Sequence, residues 1–324
     1  MDKQRRTFNQ LLLGAACLPL LPSLTGCQTA PPLQVASHVW PGYEFLFLAR
    51  NEGWLDTRLV QLEETQSASE SLEALQENRV QAATLTLDEL LMGRSRGLPL
   101  KAVLIFDVSV GADQVLAKPH LHQLEDLAGK RIGAETSALG NLVLDKTLEA
   151  AGLRRDQVEI VENAASDPRA WEAGQLDALV TYEPLASRLR KEGAKVLFSS
   201  RAFPESIFDL LAVRSDLVDT YSEGLVHLMQ SHFRGLEAFR TNPVDTSYRL
   251  ARRLGVKGQE VIELYRGLQL PDLSANHTYL AAPAERMTLA AQELHRILLA
   301  SGQVSQPINL QDLFSSQYLP RIAV

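Results

Sequence analysis

The chain has 324 residues, 45% of them hydrophobic and 22% charged, a balance that excludes disordered, collagenous and fibrous proteins and gives length for about two domains. Its formal net charge of −7, with no basic cluster longer than a pair after residue 30, excludes nucleic acid as a partner, because phosphate recognition needs a basic face. The two cysteines, Cys17 and Cys27, are too few for a disulfide framework or a cysteine-rich zinc site.

Lys3, Arg5 and Arg6 precede an apolar stretch over 11–24 that Pro19 and Pro22 interrupt. A membrane-spanning helix needs about 20 apolar residues, so this stretch is read as a signal peptide. Leu24-Thr25-Gly26-Cys27 resembles a bacterial lipobox, which implies removal of 1–26 and lipidation at Cys27. Arg5-Arg6-Thr7-Phe8 also resembles part of a twin-arginine signal, so both export routes stay open. Residues 27–33, with Pro31 and Pro32, read as a tether between lipid and fold.

From there the pattern alternates strand and helix. A strand over 34–39 is broken by Pro41-Gly42 and followed by a buried helix over 43–51. A helix bearing Leu72 and Leu75 leads to a strand over 80–86, and Asp88 is expected to cap a helix over 89–95. Residues 100–108 form a near-continuous apolar run, read as a central parallel strand covered on both faces. A second series follows, with strands over 114–117, 130–134, 158–161, 176–182 and 195–198, and helices over 141–151, 167–172 and 184–192. An apolar strand over 206–213 then gives way to Val218, Tyr221, Leu225, Leu228, Met229 and Phe233 at helical spacing, the start of an all-helical tail.

Trp40-Pro41-Gly42-Tyr43, the run 107–113 (DVSVGAD), 126–133 (DLAGKRIG) and 177–184 (DALVTYEP), taken in this order, resemble substrate-binding proteins of ATP-driven importers of the nitrate, sulfonate and taurine type, related to the binders of thiamine-pyrimidine precursors. The resemblance implies an α/β, type II periplasmic-binding-protein fold: two α/β lobes, two crossing strands near 109–114 and 206–211, and a cleft that closes on one small molecule. Lobe one would comprise 34–110 and 208–324, with the helical tail packed on it, and lobe two 111–207. It further implies a monomer held by its lipid anchor in the periplasm or on the outer face of the cell, with an ABC permease and its ATPase as partners.

In open α/β sheets a ligand sits beyond the carboxyl ends of the strands, at helix N-termini. The residues there are Trp40 and Tyr43, suited to stacking; Thr86; Asp107 and Ser109; Glu135, Thr136 and Ser137; and Tyr182 and Glu183. These loops carry carboxylates and no Arg or Lys. They favour a neutral or cationic ligand rich in N–H groups, with a sulfonate as the other possibility.

Catalysis finds no foothold: GxSxG, HExxH, P-loop and GxGxxG motifs are missing from suitable places, and neither a cofactor nor a metal is expected. His120 and His122 read as parts of a solvated loop. The sequence leaves two other readings. One is a lipoprotein that reports its ligand to a membrane receptor. The other is a pyrimidine-synthase-like enzyme, disfavoured because the chain past Cys27 has no thiol.

Overall fold

The computed structural model describes residues 31–135, 137–162 and 169–321. The expected signal peptide, Cys27 and Thr136 lie outside the described residues. Leu33, expected to end the tether, instead opens the first strand and is fully buried.

The first series runs β1 (Leu33–Ser37), α1 (Glu44–Asn51), β2 (Val60–Glu64), α2 (Ala68–Gln76), β3 (Ala82–Thr86), α3 (Leu87–Ser95) and β4 (Leu100–Ser109). The second comprises β5 (Gln114–Ala117), β6 (Arg131–Ala134), α4 (Ala138–Ala151), β7 (Glu159–Glu162), α5 (Arg169–Glu172), β8 (Ala178–Thr181), α6 (Leu185–Lys191) and β9 (Lys195–Ser199). The chain then returns as β10 (Phe208–Arg214) and continues through α7 (Ser222–Thr241), α8 (Pro243–Leu254), α9 (Val261–Leu264), β11 (Leu268–Gln269), α10 (Leu273–Leu280) and α11 (Glu285–Ala300).

Two mixed sheets result, of order β11-β4-β10-β3-β1-β2 and β7-β6-β8-β5-β9. In each, parallel strands occupy one side, β1 with β2 and β3 in the first and β6 with β7 and β8 in the second. The strand arriving from the other sheet is inserted antiparallel to both its neighbours: β10 between β3 and β4, and β5 between β8 and β9. The chain therefore passes between sheets twice, at 110–113 and at 200–207. The second passage precedes the expected 206–211, because Phe208 and Asp209 already pair with Val108 and Asp107.

Three further expectations are corrected. The apolar run at β4 is an antiparallel strand, paired with β10 and β11; burial on both faces produces such a run whatever the strand direction. Asp88 does not cap α3: Thr86 is the N-cap, and its amide and hydroxyl donate to Glu89 Oε2 at 3.0 and 2.9 Å. The tail contains the two-residue β11 at the sheet edge, although its main mass is helical, with α7 packed on α1 and α8, α10 on β4 and α11 on α3. No described helix is long and apolar enough to cross a membrane.

Candidate functional site

Loops at the carboxyl ends of parallel strands from both sheets meet at one place. His38 and Trp40 follow β1, Thr86 ends β3, Glu135 and Leu139 flank the start of α4 after β6, and Tyr182 follows β8. With Ala68, Glu89, Asp113 and Asp209 they line a cavity of about 30 Å³. Trp40 and Tyr182, one from each series, meet edge to face with ring centroids 5.9 Å apart.

Behind this lining lies a layer of buried acids. Pro41 starts a short 3-10 turn after the extended Trp40, and the turn aims the indole so that Nε1 donates to Asp107 Oδ2 at 3.0 Å. Gly42 is required here, since a Cβ at that position would lie 1.7 Å from the same oxygen. Asp107 and Asp209 are directly paired across β4 and β10, and Tyr43 donates its phenolic proton to Asp209. Burial pushes Asp107 up to about 7. Asp209 rises well above the usual carboxylate range, first by burial and then through the charge of Asp107, so the pair keeps a proton on Asp209.

The acids nearest the cavity are perturbed in the same direction. Glu89 is pushed up to about 8 by burial and then by Asp88. Asp113 is pushed up to about 6 by burial against the opposing hydrogen bond from Ser109, and its Oδ2 has no partner. Burial also raises Glu135 and the Tyr182 phenol, while His38 is driven down to about 4 by burial and then by Arg253.

The helix N-termini of α2, α3 and α4 also converge here, and each offers about half a positive charge. Each is met by a group of the protein itself. Ser67 accepts from the Glu70 amide at 3.2 Å, Ser137 from Gly140 at 3.0 Å, and the first turn of α3 carries Asp88 and Glu89. The lining holds four carboxyls, those of Glu89, Asp113, Glu135 and Asp209, and no Lys or Arg. Capped or acid-bearing helix ends thus face a lining of protonatable carboxyls, one of whose buried oxygens, Asp113 Oδ2, has no partner. Among the described residues no three His, Cys, Asp or Glu are grouped to hold a metal ion.

Of the residues singled out in the sequence, Trp40, Thr86, Glu135 and Tyr182 line the cavity. Tyr43 and Asp107 sit one layer behind, holding Asp209 and Trp40. Three others are engaged elsewhere. Ser109 bonds Ser200 Oγ at 2.7 Å and the Asp113 amide at 3.3 Å in the first passage. Ser137 caps α4. Glu183 accepts from Arg190 and from the Ser187 amide, both at 2.9 Å, which removes its carboxylate from the cavity. Sequence reading missed His38, Ala68, Glu89, Asp113, Leu139 and Asp209. A signal existed for Asp209, a carboxylate inside the apolar run of β10.

Two mixed sheets joined by two passages, with a polar cavity between them, constitute a type II periplasmic-binding fold. The chain belongs to the NMT1/THI5-like family, whose model matches residues 40–246. A taurine-binding periplasmic protein of Escherichia coli (strain K12) is 26% identical over 211 residues, which cover 62% of this chain and 66% of that protein; the match thus spans just under two-thirds of the relative. Among solved structures, the periplasmic aliphatic sulphonate-binding protein SsuA of Escherichia coli aligns with a TM-score of 0.73 at 15% identity, over 87% of this chain and 91% of that one. The desulfurization enzyme DszB aligns with a TM-score of 0.62 at 18% identity, over 88% and 97% respectively. The fold is therefore shared by binders and by an enzyme, and the side chains of the cavity must carry the functional argument.

Proposed function

We propose that this chain is the extracytoplasmic solute-binding component of an ABC importer, anchored through a lipid at Cys27, that holds one small polar molecule between two lobes and delivers it to a permease. The lobes are 34–110 with 208–324, and 111–207, hinged at the two passages. The observation that carries this reading is the cavity itself, lined from both sheets at strand carboxyl ends. At about 30 Å³ it has room for little more than one or two water-sized groups. A solute enters only when the lobes part, the hinge motion expected of such a body.

The lining carboxyls support a solute bearing N–H groups, neutral or cationic, with Trp40 or Tyr182 against it. Relatives named for taurine and for aliphatic sulphonates make the sulfonate the competing ligand. A thermal-shift panel at pH 8 with amines, aminopyrimidines and alkanesulfonates, each carrying only one of the two head groups, separates them. A bound solute at a hundred times its Kd adds about 2.7 kcal/mol, or about 5–11 °C at 2–4 °C per kcal/mol for a chain of this size. Amines or aminopyrimidines should produce that shift, and Asp113→Asn and Glu135→Gln should each weaken binding about tenfold. Shifts by alkanesulfonates alone would mean that the carboxyls are structural.

The anchor has its own test. Cys27→Ser should leave the melting curve unchanged while moving the protein from the membrane to the soluble fraction, since only a multiply acylated terminus holds stably. Retention on membranes after a carbonate wash would remove the lipid from the reading.

A further inference from the structure

We propose that a groove adjoining the acid cavity is a second subsite that receives the hydrocarbon part of the solute, making the ligand an amphiphilic amine with its ammonium among the carboxyls and its apolar tail in the groove. The inference rests on the solute-binding reading and names the class of molecule bound.

The groove measures about 700 Å³, within the range of small-molecule sites. It adjoins the cavity, with His38 and Tyr182 lining both and standing between them. The closed cavity accommodates a group the size of an ammonium, and anything attached to that group must leave past these two rings.

The walls suit a tail. Val39 follows β1, Leu185 opens α6, Val256 lies in the segment linking α8 to α9, and Leu264 ends α9. Val39, Leu185 and Val256 are half-buried, with part of each side chain turned to the groove. The charged groups around it are matched within the protein: Glu183 with Arg190 at 2.9 Å, Lys191 with Glu260 at 2.7 Å, Glu263 with Arg266 at 3.0 Å and Arg188 with Glu172 at 3.4 Å. None of these is left for an ionic tail to answer. The Lys191–Glu260 pair also ties α6 to the α8–α9 segment, so the two walls are clasped when the sheets are together.

Titration calorimetry at pH 8 with the straight-chain series from ethylamine to hexylamine tests the assignment on the full chain. Each methylene placed in the groove should tighten binding about fourfold, a steady climb along the series. Leu185→Ser with Val256→Ser should flatten that climb and leave ethylamine binding unchanged, which also shows that the variant is folded. Val256→Ser alone should halve the slope. A flat series in the native protein, with ethylamine bound, overturns the groove and leaves the solute-binding reading standing. A slope that survives in the double variant overturns the groove as the location of the tail. No heat with any amine, together with heat from an alkanesulfonate, overturns the ammonium head and the groove with it.

Discussion

The unliganded protein should lose stability as pH rises from 6.5 to 8, the reverse of what surface ion pairs would produce. Asp107 is held at about 7 and Glu89 at about 8 by burial, while unfolded carboxyls titrate near 4. Between these limits the folded chain binds more protons than the unfolded one, so stability falls with rising pH. Of the groups facing them, Asp88 and Glu135 push Glu89 further up and Asp113 does the same to Asp107, while hydrogen bonds from Trp40 and Asp209 pull Asp107 down without cancelling its burial. Two buried imidazoles oppose this, His38 at about 4 and His232 at about 3, most strongly below the unfolded imidazole value of about 6.5 and by a fading amount up to about 7.5. Carboxylates lowered by exposed ion pairs, such as Asp216 and Glu293, matter only at still lower pH. The buried acids, Glu44 at about 7 among them, therefore outweigh the imidazoles between about 6.5 and 8 and act alone above about 7.5. At about 1.4 kcal/mol per pKa unit, ionising Asp107 and Glu89 there costs about 2 kcal/mol, or about 4–8 °C in Tm. Melting curves at constant ionic strength measure it. A cationic solute should cancel the loss, and Asp107→Asn should reduce it; a profile that is flat or rises between these pH values contradicts the account.

Gly42→Ala should destabilise the protein by about 2–4 kcal/mol. The added methyl would stand 1.7 Å from Asp107 Oδ2 and 3.2 Å from Trp40 Nε1. The Asp107 side chain is short and fully buried, so it can yield only by abandoning the indole proton. Overpacking costs about 1–3 kcal/mol, and a lost bond to a charged group about 1.5–3 kcal/mol. Shortening the obstacle should rescue the variant: in an Asp107→Ser background, Gly42→Ala should cost less than about 1 kcal/mol. Chemical denaturation of the four proteins of this cycle isolates the coupling. If the two costs simply add, the contact between Gly42 and Asp107 does not govern the site.

The elements that bury a whole face were legible in the sequence, and those at the margins were not. The apolar runs of β3, β4 and β10 stand out because helices cover them. β2 escaped notice because its sequence, VQLEE, belongs to an edge strand with a mostly polar, half-exposed pattern. Strand direction in β4 had no signature, since side-chain burial is blind to it. For the site, position at strand ends singled out Trp40, Thr86, Glu135 and Tyr182, which line the cavity. It also drew in Glu183, whose neutraliser, Arg190, lies a full helix away at the end of α6. Asp113 and Asp209 belong to the passage and to the returning strand, and only the tertiary fold brings them beside the first two series.

The insertion of β10 between β3 and β4 sets the timing of assembly. Ribosomal synthesis delivers β3 and β4 early, yet the strand that joins them emerges only after about two-thirds of the chain has been made. Until then each presents an open edge, the kind of surface that recruits foreign strands. The first sheet is thus completed by its most distant contacts, a slow order of events. A chain cut short before Phe208 keeps both edges exposed, and the full-length chain stays threadable for most of its synthesis.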